Sequence, residues 1–126
     1  MANECIPLYR PGEDVTCQTT AAVVGKTFVD ISATRDTTTG LIKVATATAA
    51  GRALGVASYD APINGRVSVQ RGKGVILPVT AGGAIAAGAQ VEVGASGRAV
   101  TLAAGVAVGR AIETGTNGND VFIELY

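Results

Sequence analysis

The octapeptide Ala50-Gly51-Arg52-Ala53-Leu54-Gly55-Val56-Ala57 returns as Ala104-Gly105-Val106-Ala107-Val108-Gly109-Arg110-Ala111, 54 residues further on. Each copy is followed by an Asn-Gly pair and an alternating segment, Arg66-Val-Ser-Val-Gln70 in the first and Asp120-Val-Phe-Ile-Glu124 in the second, with a one-residue length difference between the copies. Ala/Gly/Val-rich sequence also matches itself by chance. Self-similarity at a fixed spacing, however, is the mark of a supersecondary unit that buries its apolar face against a related neighbour. The reading is an all-β fold, a small pseudo-symmetric β-barrel or sandwich. A single β domain is expected over 21–126, with related units at about 43–72 and 98–126.

Working outward, apolar and polar residues alternate with period two over Phe28 to Ser32, Lys43 to Thr48, Arg66 to Gln70, Gln90 to Val93 and Val121 to Leu125. Each segment reads as a half-buried strand. Asn64-Gly65 and Asn117-Gly118 supply residues that tolerate positive φ, and Gly94-Ala-Ser-Gly97 joins Gln90 to Val93 with Arg98 to Leu102 as a tight hairpin loop. Gly82 to Gly88 has helix-forming alanines, but its flanking glycines leave room for barely one turn, so a loop is expected. Residues 1–20, with Pro7, Pro11 and Gly12, show no sustained period and read as an extended N-terminal arm leading into Ala21 to Val24.

Composition removes several functions. The 126 residues are enough for one folded domain, which buries about two thirds of the surface its unfolded chain exposes. No histidine is present, so the usual general base, triad base and commonest metal ligand are missing together. Ten basic and ten acidic residues give zero formal net charge, with no electrostatic footprint for nucleic acid or an anionic membrane. The five aromatics, Tyr9, Phe28, Tyr59, Phe122 and Tyr126, are too dispersed for a base-stacking platform. The N-terminus lacks a basic start followed by an apolar core, and no apolar stretch is long enough to span a bilayer. A soluble protein, intracellular when made, is expected. Cys5 and Cys17 are expected as free thiols serving as packing residues, since two cysteines without histidine do not fill a tetrahedral zinc site.

Three motifs invite chemistry. Gly115-Thr-Asn-Gly118-Asn-Asp120-Val-Phe122-Ile fits one calcium-binding nonapeptide turn with Asp120 as ligand, but such sites need stacked successive turns, and a hairpin loop is the plainer reading. Gly72-Lys73-Gly74 lacks the Gly-Lys-Ser/Thr ending that reaches nucleotide phosphates. The carboxylates Asp60, Glu92, Glu113, Asp120 and Glu124 are the remaining acid/base candidates. Nothing in the spacing brings them together, and Glu92 and Glu124 read as solvent-facing strand residues. No catalytic residue, cofactor or metal is expected.

Asn3-Glu4-Cys5-Ile6-Pro7-Leu8-Tyr9 with Pro11-Gly12, then Thr20-Ala21-Ala22-Val23-Val24-Gly25-Lys26, the two Ala-Gly-x-Ala-x-Gly units, Gly88-Ala-Gln-Val91 and the terminal Val121 to Leu125 segment together carry a resemblance. The chain resembles the DUF2190 family of tailed-phage capsid decoration (cement) proteins over nearly its whole length. The resemblance implies a β-rich protein, commonly a homotrimer, bound to the outside of a shell of HK97-fold major capsid protein and reinforcing it. It implies a virion protein of the capsid exterior, made in the host bacterial cytoplasm, with no nucleic-acid or membrane partner. It also implies an arm, here about Ala2 through Thr16, that reaches onto capsid subunits. The candidate contact residues are Asn3, Glu4, Ile6, Pro7, Leu8, Tyr9, Arg10 and Pro11. The alternative is a virion-displayed host-surface or glycan-binding module, for which Tyr59 beside Asp60 is the candidate exposed aromatic.

Overall fold

The computed structural model describes residues 14–126. Ten strands follow in order: β1 (Asp14–Thr19), β2 (Phe28–Ala33), β3 (Ile42–Thr46), β4 (Gly55–Ala57), β5 (Arg66–Gln70), β6 (Ile76–Thr80), β7 (Gln90–Val93), β8 (Ala99–Thr101), β9 (Gly109–Ala111) and β10 (Asp120–Leu125). The only helical element among the described residues is a 3-10 turn at Ala95–Gly97, inside the expected Gly94 to Gly97 hairpin loop. Strands β1 to β5 close a barrel in the order β1-β3-β2-β4-β5, and β6 to β10 form a sheet in the order β6-β10-β9-β7-β8. The fold is all-β, as the alternation requires.

The second sheet repeats the first. Adding 62 to residues of β1 and β2, 55 to β3 and 54 to β4 and β5 carries the registers of one set onto the other. Val15↔Val69 becomes Leu77↔Ile123, Ala57↔Val69 becomes Ala111↔Ile123, and Val29↔Thr46 becomes Val91↔Thr101. The isolated bridge Val23↔Ala61 likewise becomes Ile85↔Gly115. The parallel closure of β1 on β3, Thr19↔Val44, shrinks in the second set to one bridge, Ala81↔Ala99. We call the two sets unit 1 and unit 2. The octapeptides occupy equivalent places at β4 and β9, and no length difference separates the strands that follow. The Asn-Gly pairs are themselves one residue out of step, so the positive φ falls on Asn64 in one turn and on Gly118 in the other.

The glycines of the repeat have a packing reason. A Cβ on Gly55 would strike the Gln70 carbonyl and Val69, and one on Gly109 would strike the Glu124 carbonyl at 2.5 Å and Ile123 at 2.8 Å. Each glycine lets β4 or β9 lie hard against its neighbouring strand.

Two apolar cores follow. One lies inside unit 1, around Val15, Cys17, Val29, Val44, Val67 and Val69. The other fills unit 2, around Leu77, Val79, Val91, Val121 and Ile123, and takes in Phe28, Ala47 and Val56 from unit 1. Those three residues make the joint between units. Backbone bonds cross it from Ala50 N–H to the Val93 carbonyl at 2.8 Å and from Thr80 N–H to the Lys26 carbonyl at 2.9 Å.

Two expectations are corrected here. The extended arm does not run to residue 20, because Asp14–Thr19 is a barrel strand with Val15, Cys17 and Thr19 buried and with β5 as its antiparallel partner. The duplicated segment is also longer than 43–72 and 98–126, since β1 and β2 of unit 1 have counterparts in β6 and β7. The expected contact residues Asn3 to Pro11 lie outside the described residues, as does Cys5.

Candidate functional site

The candidate carboxylates are spread over the molecule and held in structural contacts. Asp60 Oδ1 accepts the Gly25 N–H at 2.8 Å, and Glu113 Oε1 accepts the Phe122 N–H at 3.0 Å. Glu124 accepts from Arg110 Nε at 2.8 Å. That hydrogen bond and charge hold the guanidinium proton more tightly than usual. Asp120 accepts from Lys26 Nζ at 2.7 Å and from Thr80 Oγ1 at 3.3 Å. The Lys26 contact pulls its carboxyl below the ordinary aspartate range. The residue read as a calcium ligand is therefore engaged in an ion pair. No three metal-ligating side chains cluster among the described residues.

Glu92 is not the solvent-facing residue its alternation suggests. It is 5% exposed, and its Oε1 accepts the Ala103 N–H at 2.7 Å. The loop that follows β8 folds over it, so that a Cβ on Gly105 would meet both Glu92 Oε2 and the backbone of Ala50 of unit 1. Its contacts make it a staple for that loop. Cys17 is a free, buried thiol, and burial pushes its pKa up to about 11, which removes it as a nucleophile near neutral pH.

Tyr59 is half exposed, but its hydroxyl accepts the Ser68 N–H at 3.3 Å, and the neighbouring Asp60 is occupied by Gly25. Both polar groups thus hold backbone N–H groups of unit 1. Besides Tyr126 at 53%, sequence reasoning missed another exposed aromatic, Phe122, at 44%. It stands on the outer face of unit 2 opposite Pro78, next to Ile112, whose N–H bonds the Phe122 carbonyl. The equivalent outer positions of unit 1 are Thr16, Ser58 and Ser68, so one face is polar and the other apolar. The loop end of unit 1 reverses this, with Val24, Tyr59 and Ile63 exposed where unit 2 carries Ala86, Glu113 and Asn117.

A shallow cleft of about 200 Å³ lies where the two octapeptides meet, between Arg52 to Gly55 and Val106 to Val108, with Phe28 and Leu125 in its walls. Among the described residues no Asp, Glu or Cys side chain lines it. The described surface offers exposed apolar residues, ion pairs and capped turns.

Residues 10–125 match the family model of the phage cement protein. The chain belongs to that family. Membership gives this cement protein a structural role associated with phage capsids. No curated protein matches it. Among solved structures it is similar to the head fiber gp8.5 N base in bacteriophage phi29, with a TM-score of 0.75 and 21% identity over 90% of this chain and 92% of that one. That likeness confirms the fold: both cement protein and fiber base share the architecture described above.

Proposed function

We propose that the chain is a non-enzymatic decoration protein that binds the outer surface of a shell of HK97-fold major capsid protein and stabilises it. It acts as a homotrimer on the virion exterior after synthesis in the host bacterial cytoplasm. The N-terminal arm, with Asn3, Glu4, Ile6, Pro7, Leu8, Tyr9, Arg10 and Pro11, makes the capsid contact. The observation that carries this reading is the family match over residues 10–125. The surface supports it, with carboxylates consumed by the protein's own caps and ion pairs and apolar residues turned outward.

Such a protein works by adding interface. Each copy engages several subunits, so modest contacts combine into firm attachment. Binding to the assembled shell in preference to loose subunits stabilises the assembly by mass action. The arm leads directly into β1, whose ladder to β5 anchors it to a rigid barrel. A segment that pairs its backbone with a neighbour's sheet edge adds a strand to it.

The test is co-sedimentation with mature and immature shells of the parent phage, read as copies bound per capsid. Saturable binding to mature shells at a stoichiometry of threefold sites is expected, and loss of binding on deletion of residues 2–13. Deletion must stop there because Val15 belongs to the unit 1 core. Absence of binding to either shell overturns the decoration role, and full binding without the arm overturns the arm's part in it.

A further inference from the structure

The two Asn-Gly pairs of the duplication share a sequence but not a place in their turns. In unit 1 the turn closes from the Gly65 N–H to the Pro62 carbonyl at 3.1 Å, and in unit 2 from the Asn119 N–H to the Thr116 carbonyl at 3.1 Å. Gly65 therefore corresponds to Asn119, and Asn64 to Gly118. The bonds that tie each turn to its sheet agree. Thr19 N–H meets the Gly65 carbonyl and Asn64 N–H the Thr19 carbonyl, while in unit 2 Ala81 N–H meets the Asn119 carbonyl and Gly118 N–H the Ala81 carbonyl.

This shift bears on a reaction to which Asn-Gly is especially open, because glycine has no side chain to hinder its own nitrogen. That nitrogen loses its proton and attacks the asparagine Cγ. A C–N bond forms, the Nδ2 group leaves as ammonia, and a five-membered succinimide closes. Water then opens one of the two ring C–N bonds, leaving aspartate or isoaspartate and one added negative charge. The glycine N–H must first let go of its acceptors, so the hydrogen bonds it makes slow the attack.

The Gly65 N–H is held twice, by the Pro62 carbonyl at 3.1 Å and by Thr19 Oγ1 at 3.0 Å. Thr19 is fully buried and its hydroxyl donates in turn to the Pro62 carbonyl, so this second acceptor is fixed in place. Pro62 also crowds the glycine, since a Cβ on Gly65 would meet its carbonyl oxygen at 2.9 Å and its ring at 3.1 Å. In unit 2 the counterpart of Thr19 is Ala81, which has no hydroxyl, and among the described residues the Gly118 N–H meets the Ala81 carbonyl alone, at 2.8 Å. Asn117 and Gly118 are both exposed, and nothing lies within 4 Å of where a Cβ on Gly118 would stand.

We propose that Asn117 is a site of spontaneous deamidation in the native protein and that the Thr19 hydroxyl shields Asn64 from the same reaction. The charge gained at 117 falls in the turn before Asp120, whose carboxylate holds Lys26 across the joint. Isoaspartate also lengthens the backbone of the turn that Gly118 ties to Ala81. Ageing thus changes unit 2 and spares unit 1. The inference is independent of shell binding.

The test incubates the full chain at mildly alkaline pH, where the glycine nitrogen gives up its proton most readily, and follows both sites by peptide mass spectrometry with and without urea. In urea the two sites are expected to react at similar rates, since both are Asn-Gly. In the native protein Asn117 is expected to convert about three- to tenfold faster than Asn64. Thr19→Val is expected to raise the rate at Asn64 by a similar factor and leave Asn117 unchanged, while Thr19→Ser, which keeps the hydroxyl, behaves as wild type. Equal native rates at the two sites overturn the proposal, as does an Asn117 that converts only in urea. So does a Thr19→Val protein that keeps its circular dichroism spectrum and its wild-type rate at Asn64. If Thr19→Val fails to fold, the wild-type chain decides: folding must slow Asn64 more than Asn117 relative to urea, and equal slowing overturns the proposal.

Discussion

At Phe28 unit 1 buries a phenyl ring completely, inside the core of unit 2, whereas the equivalent Gln90 of unit 2 leaves its amide in solvent. The same strand register therefore does two jobs. In unit 1 the outer side of β2 and β4, with Phe28 and Val56, is the joint; in unit 2 the same side, with Gln90 and Arg110, is surface. A duplicated fold keeps its inward positions alike, because both units need the same filling, and differentiates through its outward ones. Val15, Val29, Val67 and Val69 have Leu77, Val91, Val121 and Ile123 as counterparts, all buried. Outside, Ser68 has Phe122, Arg66 has Asp120 and Lys26 has Gly88 as its counterpart.

The comparison is broken most severely at the joint. Phe28→Ala removes a fully buried ring and is expected to cost about 3–5 kcal/mol in urea unfolding, while Gln90→Ala stays within about 0.5 kcal/mol. Equal effects would mean that the units do not lean on each other through β2.

The next largest effect separates the first glycines of the two octapeptides, Gly51 and Gly105. Gly105→Ala drives a methyl into Glu92 Oε2 and to 2.8 Å from Ala50 Cα, and is expected to cost about 1–3 kcal/mol. At the counterpart Gly51 the nearest atom would be the Thr48 carbonyl oxygen at 3.0 Å, and alanine there is expected to fall within about 1 kcal/mol of wild type. Thermal melts of the two variants check the contrast.

Cys17 is matched in unit 2 by Val79, so Cys17→Val is expected to cost less than about 1.5 kcal/mol. Because the thiol is buried and its pKa lies at about 11, iodoacetamide at mildly alkaline pH should leave Cys17 unmodified in the native protein and label it in urea, read by peptide mass spectrometry. Labelling of the native protein at the unfolded rate would contradict the packing of β1 in the barrel.

The smallest effect concerns the ion pair across the joint. Lys26 adopts φ 62°, where its counterpart is Gly88 at φ 83°, and it keeps a side chain there that reaches Asp120. Both ends are about half exposed, so Asp120→Asn is expected to cost about 0.5 kcal/mol near neutral pH, and less in high salt. The folded-state pKa of Asp120 lies below its unfolded value, so this contribution is full above about pH 4 and disappears as pH falls through the folded value. Wild-type and variant stabilities are thus expected to converge in acid.

Local alternation and turn chemistry by themselves determined the all-β class, the strands at Arg66–Gln70 and Gln90–Val93 to the residue, the hairpin at Gly94 to Gly97 and the existence of a duplication. Those features are short-range: a period of two needs only its own residues, and a repeat is visible wherever both copies stand in one chain. Asp14–Thr19 escaped because its inward residues are Val15, Cys17 and Thr19, a mixed set that looks apolar only once the barrel closes around it. Ile76–Thr80 escaped because Pro78 argues against a strand, and it is tolerated where β6 meets β8 only through Ala81. Glu92 was legible as a strand residue but not as a buried one, since the loop that covers it arrives from Ala103 to Gly105. The joint at Phe28, the outward turn of Phe122 and the split between polar and apolar faces were decided by tertiary structure alone. Inward and outward in each unit are fixed by local alternation, but which outward face meets the other unit, and which meets solvent, depends on how the two units dock.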